Sequence, residues 1–180
     1  MPYSIELRFD DALTEAVARW SEAVAALVGL PCGVVEPHVS LAVYDDRAAV
    51  DPDKLVAALD RLAPRHAPTP VTFASVGVFP TEERVLFLAP VVSPQLLALH
   101  HAYHSLTAEL RPRCREHYLP GNWVPHCTLA MLLPLPELLR ALEQLAGQWT
   151  PLSGEVRHVA LVEDPAITVQ ERPFARQLSR

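Results

Sequence analysis

The stretch PHVSLA, Pro37–Ala42, returns in the second half of the chain as PHCTLA, Pro125–Ala130. Four of the six positions are identical, and Ser is matched by Thr at a fifth. Among the eight histidines, only His38 and His126 have Ser or Thr two positions on. Both copies open a run that alternates as a half-buried strand does. Residues i and i+2 of a strand project from the same face, so His38 and Ser40 point together, as do His126 and Thr128. The apolar partners Val39, Leu41 and Val43, and Cys127, Leu129 and Met131, point the other way, into a core. The alternation also places Tyr44 on the motif face of the first strand. The polar faces must meet water or a cleft. If the two halves are related by a pseudo-twofold axis, the two His–hydroxyl pairs meet across one groove.

Outward from these strands, the chain reads as a mixed sequence of elements. Tyr3–Phe9 alternates as a strand. Asp11–Val28 carries a helical apolar stripe with an aspartate at its start, and Gly29 and Pro31 end it. A short helix is expected near Asp53–Leu62, and two strands over Val71–Phe79 and Arg84–Val92 with a tight turn around Thr81–Glu83. Ser93-Pro94 opens a helix in the cap-then-proline manner that runs to about Leu110. A loop rich in Pro, Arg and aromatics then leads to the second motif. A helix over Pro136–Ala146, ended by Gly147, and strands over Glu155–Val162 and Ile167–Glu171 close the chain. Tight hairpins and mixed connections predict an α+β fold with largely antiparallel sheets. Two related lobes, one motif strand in each, pack as a single domain over residues 1–180.

Composition narrows the function classes. The formal net charge is −6, which argues against a protein that grips a long nucleic-acid duplex through its phosphates. No apolar run is long enough to cross a bilayer, and Glu6, Arg8 and Asp10 interrupt the N-terminal stretch where a signal peptide would be apolar. A cytoplasmic, membrane-free, monomeric protein is the expectation. Cys32, Cys114 and Cys127 have neither the number nor the spacing of a disulfide framework or a cysteine zinc site, and read as buried thiols.

Two imidazoles facing two hydroxyls suit phosphodiester chemistry. One neutral ring takes a proton from an attacking oxygen while the other, protonated, gives one to a leaving oxygen. The hydroxyls donate to the non-bridging phosphate oxygens, where charge builds in the transition state. The paired motifs His38-Val39-Ser40-Leu41 and His126-Cys127-Thr128-Leu129 resemble those of the two-histidine (2H) phosphoesterase superfamily, in its 2′–5′ RNA ligase-like and cyclic phosphodiesterase branch. The opening YSIELRFD and the run YLPGNWVPHCTLA are similar to a bacterial subgroup of that branch. Ser40 stands where the family most often has Thr. The resemblance implies a bilobal α+β fold with helices outside and a central groove. It also implies catalysis with no metal and no cofactor, with His38 and His126 sharing acid and base roles and Ser40 and Thr128 holding the phosphate. A short RNA end or small cyclic or 2′–5′ linked nucleotide is the implied substrate. A binding module for the same ligands, with little turnover, is the alternative.

Tyr118 and Trp123, just before the second motif, are candidates for stacking on a base. Trp123 suits core packing equally well. Glu6 and Arg8 line the groove if the first strand neighbours a motif strand. Arg111, Arg113 and Arg115 are candidates for phosphate steering. His100 and His104 share a helix face at a spacing that can bind a metal, but no third ligand is evident.

Overall fold

Among the described residues, seven strands, every pair antiparallel, form one connected sheet in the order β2-β1-β6-β3-β4-β5, with β7 pairing only to β6. The strands are β1 (Tyr3–Phe9), β2 (His38–Tyr44), β3 (Thr69–Phe79), β4 (Val85–Pro90), β5 (Cys127–Ala130), β6 (Leu152–Glu163) and β7 (Ile167–Pro173). The helices are α1 (Asp11–Val28), α2 (Pro52–Leu62), α3 (Pro94–Leu106) and α4 (Leu135–Gln148). This computed structural model describes residues 2–29, 36–163 and 167–175; Pro31 and Cys32 lie outside the described residues.

The strand order is palindromic about the β6–β3 pair. Each motif strand, β2 or β5, sits at one end, backed by a partner, β1 or β4, and then by an inner strand. The inner strands join only over Leu152–Val156 and Thr69–Phe73. Beyond Val156, β6 pairs with β1 on one side and β7 on the other, so a single long strand belongs to both halves. The two ends of the order also approach one another, because β2 and β5 are in contact.

The apolar side is what brings them round. Ile5, Leu7, Val39, Leu41, Phe73, Leu86, Leu88, Leu129 and Leu161 are fully buried. The helices cover this side in a crossed manner. α1, from the first half, packs on β5, β6 and α4. α3, from the second half, reaches behind β2, where Tyr103 Oη and Tyr44 Oη lie 2.9 Å apart. Neither half encloses its core without a helix from the other.

Local chemistry fixes the ends. Asp10 caps α1 by accepting from the Leu13 N–H at 2.9 Å, and Ser93 caps α3 by accepting from Leu96 at 3.1 Å with Pro94 at its first turn. α3 stops at Leu106, earlier than the sequence suggests. Pro112, which has no N–H to donate, falls in a 3₁₀ turn over Ala108–Arg113. Gly147 does not stop α4, which runs on to Gln148. β6 begins at Leu152, three residues before the expected start, and contains Gly154. A Cβ there would lie 2.6 Å from Asp10 Oδ2 and 2.8 Å from Leu13 Cβ, so this glycine lets α1 lie against the strand.

Cys114 and Cys127 are free and buried. No described helix is long and apolar enough to cross a membrane.

Candidate active site

The two motif strands are built alike down to their irregularities. In β2, Ser40 faces Glu6 of β1 and Ala42 faces Ile5, so Leu41 is the extra residue of a β-bulge. In β5, Thr128 faces Phe87 of β4 and Ala130 faces Leu86, so Leu129 is the extra residue. A bulge inserts one unpaired residue and reverses the alternation beyond it. That is why the two hexamers agree past their hydroxyls. Leucine fills the bulge and alanine resumes the strand on the core face.

The bulge also corrects one expectation. Tyr44 is not on the motif face. It faces Tyr3 across the β1–β2 ladder, is 1% exposed, and its hydroxyl is engaged with Tyr103. Burial pushes its phenol up to about 12, and it is a core residue rather than a substrate contact.

Each motif histidine is oriented the same way. His38 Nδ1 lies 2.8 Å from the carbonyl of Glu36, and His126 Nδ1 lies 2.8 Å from the carbonyl of Val124. A carbonyl oxygen can only accept, so Nδ1 carries the proton in both rings and Nε2 is left for proton exchange. The two motifs are close. The His38 backbone N–H faces the Cys127 sulfur, partly opposing the burial that drives this thiol up to about 12. Burial also holds His126 below the ordinary imidazole pKa. The Val124 carbonyl opposes that shift, and the charge His38 can carry adds to it.

The surroundings of the two rings differ sharply. Around His126 the wall is aromatic. Phe79 meets it edge-on at 4.8 Å, Phe87 lies at 5.5 Å, and Tyr118 at 6.4 Å between ring centroids. The outer end of the Phe87 ring lies against Gly77, where a Cβ would stand 2.4 Å from it. Around His38 the wall is ionic. Glu6 Oε1 is 3.7 Å from His38 Nε2 and accepts from Ser4 Oγ at 2.7 Å. Arg8, opposite His38 in the ladder, is buried among Glu36 at 3.1 Å, Glu6 at 3.6 Å and Glu171 at 3.7 Å, and donates to Thr168 Oγ1 at 2.8 Å. Glu6 and Arg8 thus stand on the same face of the ladder as Ser40 and His38, next to a motif strand.

β2 ends the sheet order, and its outer edge is satisfied by side chains and backbone from the second half. Trp123 Nε1 donates to the Ser40 carbonyl at 3.0 Å. His104 Nε2 donates to the bulged Leu41 carbonyl at 3.1 Å. The Arg115 N–H donates to Val43 at 2.9 Å. β5 has a counterpart in Ser21 of α1, whose Oγ donates to the bulged Leu129 carbonyl at 2.7 Å.

This arrangement places the remaining candidates. Trp123 has one ring face covered by His100, parallel at 4.0 Å, and its N–H is spent on the Ser40 carbonyl; it braces the motif strand and is partly buried. His100 donates to the Tyr118 carbonyl at 2.8 Å. His100 and His104 are fully buried, and burial holds His100 at about 4 and His104 below the usual imidazole value. Among the described residues no set of three or more His, Cys, Asp or Glu is placed to hold a metal ion. Arg115 is clasped by the Asp45 carboxylate at 2.6 to 2.9 Å, and Arg111 donates to the His104 carbonyl at 3.1 Å, so both have structural partners. Sequence reasoning missed the bracing role of His104 and Ser21. The available signal was a polar residue on the buried face of an otherwise apolar helix.

Comparisons with known proteins agree with this architecture. The TT0787 protein of Thermus thermophilus superposes with a TM-score of 0.66 at 20% identity, covering 98% of this chain and 100% of that one. A structure described as a phosphoesterase superposes at 0.61 with 16% identity over 97% and 98%. Escherichia coli LigT in complex with 3′-AMP superposes at 0.58 with 17% identity over 97% of each chain. No curated protein matches in sequence. The family model described as the 2′–5′ RNA ligase superfamily matches residues 9–166 and so includes both motifs. The chain belongs to that superfamily, a group of two-histidine phosphoesterases.

Proposed function

We propose that this protein is a phosphodiesterase of 2′,3′-cyclic phosphate RNA ends, or of related cyclic or 2′–5′ linked nucleotides, working by general acid–base catalysis with His38 and His126. The observation that carries the reading is the pair of matched motif strands. Each brings one imidazole, tied back through Nδ1 to the carbonyl two residues earlier, and one hydroxyl on the same face.

The unlike walls divide the roles. His126, amid phenyl rings and with its pKa lowered by burial, is the neutral base. A protonated His38 has the Glu6 carboxylate to pair with and is the acid. Water attacks phosphorus and its proton passes to His126 Nε2. The bond from phosphorus to O3′ breaks, and O3′ takes the proton from His38 Nε2, leaving a 2′-phosphate. Each proton transfer is worth about 10²–10⁴ in rate. Ser40 and Thr128 donate to the non-bridging oxygens, and Tyr118 flanks the nucleoside on the His126 side. This chemistry asks nothing of a metal or cofactor. LigT, which shares the fold, is described in complex with a nucleotide, 3′-AMP.

The test is a panel of 2′,3′-cyclic nucleotides and 2′–5′ linked dinucleotides, assayed with excess chelator. The reading predicts 2′-monophosphate products at a rate the chelator leaves unchanged. Saturable binding without product makes the protein a nucleotide-binding module. Neither binding nor turnover contradicts both.

A further inference from the structure

The pseudo-twofold relation pairs Glu6 with Phe87. Each faces the motif hydroxyl of its own half, Ser40 for Glu6 and Thr128 for Phe87, one residue before the bulge. One side of the groove therefore has a carboxylate where the other has a phenyl ring. The Glu6 side chain is 7% exposed, and its Oε1 lies 3.7 Å from His38 Nε2, the nitrogen left for proton exchange. Behind it, Arg8 is the cation shared by three carboxylates, Glu6, Glu36 and Glu171. The guanidinium neutralises one of three negative charges, so the wall beside His38 keeps an excess of negative charge.

We propose that Glu6 makes this groove select esters by charge, admitting a phosphodiester with one negative charge and disfavouring a phosphomonoester with two. The proposal rests on the phosphodiesterase reading of the same site. A phosphoryl group within reach of His38 Nε2 has the Glu6 carboxylate as a close neighbour. A diester brings one negative charge to that wall and a monoester brings two. The second charge of a monoester, present above its second pKa of about 6, meets Glu6 uncompensated. At separations of about 5 Å and the effective dielectric of a partly exposed site, that added repulsion corresponds to about 10- to 100-fold in affinity. The hydrolysis derived above converts the first kind of ligand into the second. Glu6 thus speeds product departure and keeps inorganic phosphate and nucleoside monophosphates from occupying the groove. The phenyl ring at the equivalent place beside His126 carries no charge, so the selection acts from one wall only.

Two probes of nearly equal size isolate the charge: adenosine 2′-monophosphate and its methyl phosphodiester, measured by calorimetry at pH 7.5. The wild-type protein is expected to bind the methyl diester about 10- to 100-fold more tightly than the monoester. In Glu6→Gln the ratio of the two affinities is expected to shrink about tenfold. The wild-type comparison needs no variant, so misfolding of Glu6→Gln leaves the proposal exposed to test. Equal wild-type affinities, or a folded Glu6→Gln with an unchanged ratio, overturn it. Because both readouts are binding, a groove that discriminates by charge yet turns over no cyclic ester contradicts the phosphodiesterase reading and leaves the charge selection standing.

Discussion

At the scale of single residues, the site is a study in how the same side chain is given two characters. His38 and His126 have the same Nδ1 tether and the same hydroxyl at the second position on. They differ in neighbours, a carboxylate for one and phenyl rings for the other. Burial stabilises the neutral form of His126, so it stays available as a base at lower pH than an ordinary imidazole, whose pKa is about 6.5. The rate at limiting substrate is therefore expected to fall on the acid side with an apparent pKa below that value. In Phe79→Ser, which wets the ring, this limb should move upward; the measurement is kcat/KM against pH. The identities of these residues were legible in the sequence, because a repeated hexamer is a signal one chain can give. The fate of Tyr44 was not. Its face depends on a bulge, and a bulge is a property of two paired strands rather than of one.

At the scale of elements, the bulges explain more of the motif than its chemistry does. Leu41 and Leu129 each interrupt a ladder, and each leaves a carbonyl met by a side chain from a helix of the other half, His104 on α3 and Ser21 on α1. Removing one partner of a buried hydrogen bond typically costs about 1–3 kcal/mol. Ser21→Ala is accordingly expected to lower stability by roughly 1 kcal/mol in denaturant unfolding, with a larger fractional loss in kcat than in KM because Thr128 is adjacent to the bulge. A loss of stability with kcat intact assigns the contact to packing alone. Element positions were read well where local chemistry sets them: β1, α1 and β2 occupy the spans their alternation, stripe and aspartate cap imply. β6 begins before the expected Glu155 and includes Gly154, and α4 runs through Gly147, where the sequence suggests its end. A glycine marks a break in the sequence, yet here one serves a close helix–strand approach and the other sits within a helix.

At the scale of the whole molecule, an α+β antiparallel architecture followed from the order of elements, while the crossing of helices between halves did not. Nothing in the order of a sequence says that α1 will cover β5 or that α3 will brace β2. That crossing buries His100 and His104 at the junction of the halves. His100 is held at about 4 in the folded protein, against about 6.5 unfolded. The unfolded chain therefore binds a proton that the folded chain refuses. Stability is full above about pH 6.5 and is lost progressively toward pH 4, by an amount on the order of 3 kcal/mol for this residue. Denaturant midpoints measured between pH 7 and pH 4.5 should show that decline, and His100→Gln should flatten it.

The claim on which the account turns is that two imidazoles from the two ends of one sheet act on a single phosphorus atom. The most direct measurement is single-turnover hydrolysis of a 2′,3′-cyclic nucleotide by His38→Ala, His126→Ala and the double variant. Groups that act as one unit are strongly non-additive. Each single substitution is expected to cost at least about 10²-fold, and the double variant little more than the worse single. Losses that multiply, or a single variant that keeps the wild-type rate, would contradict the account.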